Sequence, residues 1–178
     1  VAFLMTSHTA VYVFGSLYWR GAGIPESTIS FLWAFGAASE ILVFWKGTFL
    51  LKRFGPVLLI FSGAVAAVLR WYVTGITMEI WILTMAQALH AFTFGAAHLG
   101  GMTFISRVAP QELQATAQTL YSALAMGAAM AVMTPVTGRL YAMFGPEQTF
   151  FAMMALASIS AVLALVLQWR WNGRQLEV

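Results

Sequence analysis

The sequence contains no cysteine and no aspartate, and little charge of any kind: Lys, Arg, Asp and Glu together make up 8% of its 178 residues. Without cysteine, a disulfide framework or a thiolate metal site is excluded. So little charge excludes a water-covered globule, because a soluble domain carries about 25% charged residues. Disorder is excluded as well, since apolar residues reach 61% and the formal net charge is only +3. There is no G-x-S-x-G, no H-E-x-x-H and no Walker sequence, so a hydrolase or a nucleotide-driven pump has no visible machinery in this chain.

What is present is mostly apolar, with a mean hydropathy of +0.82. Nine Lys/Arg outnumber six Glu, but they sit mainly at the ends of apolar segments. That placement reads as membrane topology, and no nucleic-acid partner is expected. Six segments approach the roughly 20 residues a spanning helix needs. They cover about 1–19, 28–50, 56–74, 80–104, 113–140 and 148–169. The apolar runs are continuous rather than alternating, so helices are expected instead of a β-barrel. Glycine- and proline-bearing connectors such as Gly21 to Pro25, Gly55-Pro56, Ala109-Pro110 and Gly145-Pro146 separate them. Ser27 or Thr28 is expected to cap the second helix, and Pro135 to kink the fifth.

No linker is long enough to divide the chain, so residues 1–175 read as one bundle and 176–178 as an appended tail. The first residue already lies inside an apolar run with no basic stretch before it, which reads as a continuation of something upstream. With six spans, Lys46, Lys52, Arg53, Arg107, Arg170 and Arg174 share one side, against Arg20 and Arg139 on the other. The excess of basic residues predicts that both termini face the cytoplasm.

Ionisable residues at membrane depth are costly and mark either packing pairs or a solute path. Glu40 lies within the second segment, with Trp33, Gly36 and Phe44 on its face at helical spacing. Its carboxyl needs a proton or a cation there. Arg70 either pairs with it, clamps a substrate carboxylate or snorkels to the headgroups. His90 has Gln87 one turn before it, while His98 stands eight residues further on, about 12 Å along the axis. That spacing is too long for a shared metal, so no metal and no cofactor is expected. His8 lies within Thr6-Ser7-His8-Thr9, with Tyr12 one turn on, and completes the candidate proton-coupling or substrate-binding set. The Met126, Met130 and Met133 stripe reads as packing.

Several strings carry a resemblance. Leu51-Lys52-Arg53-Phe54-Gly55-Pro56 looks like the basic turn between the second and third helices of a C-terminal half of the major facilitator superfamily, and Ala109 to Gln118 looks like the loop into its fifth helix. Ser7-His8, Tyr18-Trp19, Leu32-Trp33, Glu40, Arg70-Trp71, Gln87 to His90, His98-Leu99 and Leu120 to Ala123 follow the order of the 3-phenylpropionate permease group of proton symporters. The resemblance implies an all-α inner-membrane bundle of two inverted three-helix repeats, partnered by an N-terminal six-helix half. It implies alternating access for a small organic solute with protons, an aromatic carboxylate being the group's substrate class. Glu40, Arg70 and His90 also match polar positions of the similar lactose permease, whereas Thr93 stands where that protein has a glutamate. Two other readings stay open: a stand-alone six-helix protein that dimerises, and a membrane-embedded structural subunit or an enzyme using the histidines.

Overall fold

The computed structural model describes residues 1–171. Arg174 and the tail 176–178 lie outside the described residues. Helices account for nearly all of the described chain, and no strand occurs in it. Five helices are long and apolar enough to cross a membrane: α2 Glu26–Trp45, α3 Pro56–Ile76, α4 Ile80–Val108, α5 Gln111–Phe144 and α6 Pro146–Arg170. A first rod, α1 over residues 2–21, is interrupted at Ser7-His8 and passes through a π-helical turn at Ala10–Phe14. Its 20 or so residues span about 30 Å, comparable to the bilayer core.

The ends follow simple chemistry. Gly55 and Gly145 hold φ of 77° and 85°, a region that glycine enters without steric cost, and each is followed by a proline that starts the next helix. Neither Ser27 nor Thr28 caps α2: Pro25 takes the N-cap in extended backbone and Glu26 opens the helix. Proline's fixed φ sets that start one turn earlier than the hydroxyls would. Pro135, the residue expected to kink the fifth helix, lies inside Ala129–Phe144, which runs through it without a break. The irregular turn of α5 precedes it, at Ser122–Ala128. The second helix breaks instead at Lys46, and an amphipathic extension, Gly47–Phe54, follows.

Packing reveals the internal order. The most extensive interface joins α3 to α6; α4 packs on α2 and α3, and α1 packs on α5 and α6. Exchanging the first three helices with the last three maps this pattern onto itself. Three spans reverse the chain's direction across the membrane, so such repeats are necessarily inverted. The core is centred on Trp19, Trp71, Phe150, Leu4, Leu32, Leu83 and Met153, all fully or almost fully buried. Met126 and Met133 pack against it, as their stripe suggested. Two glycines set the α3–α4 distance: a Cβ on Gly63 would stand 2.6 Å from the Phe92 carbonyl oxygen, and one on Gly100 2.5 Å from that of Pro56.

Candidate functional site

Four helices deliver polar side chains to one point. Arg70 comes from α3, Gln87, His90 and Thr93 from α4, Glu40 from α2 and His8 from α1. Gln87, His90 and Thr93 recur every three residues and so share one face of α4. Gly36 of α2 faces that side of α4, where a Cβ would lie in ordinary contact with Gln87 and His90 at 3.7–3.8 Å. A π-helical turn, Ala91–Ala96, begins immediately after His90, and Ala10–Phe14 begins just after His8. Such turns leave backbone groups outside the regular ladder and concentrate at functional sites.

Arg70 fixes the direction of every hydrogen bond around it, because a guanidinium can only donate. It is 1% exposed and lies over the Trp71 ring, 4.8 Å from the centroid. One nitrogen donates to His90 Nδ1 at 2.9 Å and to Thr93 Oγ1 at 3.0 Å; another donates to Gln87 Oε1. His90 Nδ1 is therefore the unprotonated nitrogen. Its Nε2–H donates to Glu40 Oε1 at 2.9 Å. Thr93, already accepting from Arg70, gives its own proton to His8 Nε2 at 3.1 Å, and His8 Nδ1–H donates to the Leu4 carbonyl at 3.0 Å. Both histidines are thus neutral in this arrangement. The fixed cation and the carboxylate stand on opposite sides of the His90 imidazole, with no direct contact between them.

The cluster reaches the surface on one side only. The Glu40 side chain is 18% exposed and that of His90 11%, while Arg70 is sealed behind them. Tyr12, 39% exposed, forms the adjoining wall with Trp33 (ring centroids 6.1 Å apart) and lies 6.2 Å from His90. Trp33 Nε1 is fixed by donation to Ser16 Oγ at 2.9 Å. The surface offered to a solute is therefore aromatic, with one carboxyl at its edge.

Of the candidates from the sequence, Glu40, Arg70, His90, His8, Gln87, Tyr12 and Trp33 come together. Arg70 does not snorkel, since it is buried and both of its terminal nitrogens donate to partners inside the bundle. His98 stands apart: it stacks on Phe94 (centroids 5.7 Å) and faces Tyr121 across 6.1 Å. Phe44 is exposed and forms no part of the wall. Gln118 joins helices, donating to Ser106 Oγ at 2.7 Å. Residue-type reasoning gave no role to Thr93, the junction between Arg70 and His8. The clue was its spacing from His90. It also missed the anchors of α1: Trp71 Nε1 donating to Ser7 at 3.0 Å, and Thr9 bonded to Thr137 at 2.8 Å. Among the described residues no group of three or more His, Cys, Asp or Glu is placed to hold a metal.

Comparison with known proteins follows the same lines. The model of the MFS_1 like family matches residues 1–152. A probable 3-phenylpropionic acid transporter of Escherichia coli (strain K12) is 33% identical over 162 residues, which is 91% of this chain and 42% of that protein. A maltose permease of Geobacillus stearothermophilus is 27% identical over 149 residues, 83% of this chain and 38% of that protein. The chain thus spans about two fifths of the length of each of these relatives.

Proposed function

The chain belongs to the MFS_1-like family of the major facilitator superfamily, and from that premise we propose that it forms the C-terminal half of a proton-coupled symporter for a small aromatic carboxylate. An N-terminal six-helix half supplies the opposite wall of the solute path. The basic end of the bundle faces the cytoplasm of a cell bounded by an inner membrane.

The observation that carries this reading is the chain Glu40–His90–Arg70, one end of which is open and the other sealed. With Glu40 ionised, its charge offsets that of Arg70 through the intervening imidazole, and a second anion at the Tyr12–Trp33 wall meets repulsion from Glu40. With Glu40 protonated, the positive charge of Arg70 is left uncompensated in a water-poor site, where charge interactions are strong. A carboxylate can then bind with its ring against Tyr12 and Trp33. Proton and anion enter together because neither is stable there without the other. His90 is the conduit: its orientation, fixed by Arg70, presents Nε2–H to whatever acceptor stands at Glu40.

The substrate class rests on the aromatic wall and on the likeness to the 3-phenylpropionic acid transporter; the likeness to a maltose permease supplies the competing candidate. The test uses the full-length protein in proteoliposomes. Labelled 3-phenylpropionate should accumulate under an inward proton gradient and stop when a protonophore is added. Accumulation of maltose but not of the aromatic acid would reassign the substrate, and accumulation indifferent to the gradient would remove the coupling.

A further inference from the structure

A trough of about 640 Å³ runs between α2 and α4, and no residue of the Arg70 cluster lines it. Phe35, Ala38 and Leu42 of α2 form one bank, and Ala88 and Phe92 of α4 the other. Lys46 closes it at the end where α2 breaks. From Phe35 to Lys46 is eleven residues, or about 16 Å of helix. That is about the depth of one leaflet of a roughly 30 Å hydrocarbon core.

The mouth has the chemistry of a headgroup site. Lys46 lies 4.2 Å from the centroid of the Trp45 ring, an aromatic at the level where the helix leaves its apolar stretch. Lys52 and Arg53 follow, exposed, on Gly47–Phe54. Among the described residues no carboxylate forms an ion pair with any of these three cations. A water-soluble partner is disfavoured by the depth of the trough and by its apolar banks, which lie inside the span of α2.

We propose that this trough holds an acyl chain of an anionic phospholipid from the leaflet at the basic end, with its phosphate against Lys46. A neutral, choline-headed lipid fits the same banks but lacks the charge match, so the site discriminates by headgroup at one basic side chain.

The experiment uses the full-length protein in mild detergent, incubated with phosphatidylglycerol or phosphatidylcholine of identical chains, with bound lipid read by native mass spectrometry. Phosphatidylglycerol should bind about fivefold more tightly, the contribution of one basic side chain at a lipid surface. Lys46→Gln should erase that preference. Ala38→Phe, which fills the trough from an exposed position, should lower retention of both lipids. Arg107→Gln removes an exposed charge outside the trough and should leave the preference intact. Equal retention of the two lipids by the unaltered protein overturns the proposal. So does a preference that survives Lys46→Gln, one that Arg107→Gln removes equally, or retention indifferent to Ala38→Phe.

Discussion

A guanidinium has donors and no acceptor, so Arg70 imposes proton positions on its neighbours. The consequence is measurable. In protein labelled with nitrogen-15 at histidine, His90 should show Nε2 protonated and Nδ1 bare, and His8 the reverse. An imidazolium at His90 would break this description. Thr93 is the residue most exposed to a second test. Thr93→Val keeps the shape but leaves His8 Nε2 and an Arg70 N–H without partners. A buried polar group stripped of its partner costs about 1–3 kcal/mol, so the melting temperature of the purified protein should fall. Replacing Arg70 by lysine should be worse for transport than its conserved charge suggests. One ammonium cannot reproduce the planar fork that reaches His90, Thr93 and Gln87 together, and uptake should drop at least tenfold. At this scale the sequence was informative where a residue type is intrinsically costly in lipid. Glu40, Arg70 and His90 stood out for that reason. Thr93 did not, because a threonine in a spanning helix can satisfy itself on its own backbone, and only the fold shows that this one bridges two helices.

The helices themselves were legible because a spanning segment must be long, apolar and internally hydrogen-bonded. Their irregularities were not. The break at Lys46, the π-helical turns after His8 and His90 and the uninterrupted passage through Pro135 depend on what each helix packs against. The glycines fall between these cases. Gly63 and Gly100 are recognisable as small residues, yet only the α3–α4 contact shows that carbonyl oxygens of the neighbouring helix occupy the places where their side chains would be. Gly100→Ala should therefore cost about 1–3 kcal/mol or more through overpacking. Gly21→Ala, where nothing lies within 4 Å, should be close to neutral. Thermal unfolding of the two variants, side by side, checks the difference.

Across the whole molecule, the packing pattern repeats after three helices, and the polar cluster sits where the two repeats meet. His8 belongs to α1 and His90 to α4, the first helix of each repeat, and each is followed by its π-helical turn. Thr93 ties them together, so the repeats are joined at the same place that holds the titratable carboxyl. On the proposed mechanism, a change in protonation at Glu40 is thus felt at the seam that joins the two repeats beside the aromatic wall. The direct test is Glu40→Gln in the full-length protein, which keeps that side chain permanently uncharged while preserving its shape. If the Glu40 carboxyl carries the coupling, uphill, proton-driven accumulation of the aromatic acid is lost while equilibrium exchange of labelled for unlabelled solute continues. Undiminished uphill accumulation by Glu40→Gln would contradict it.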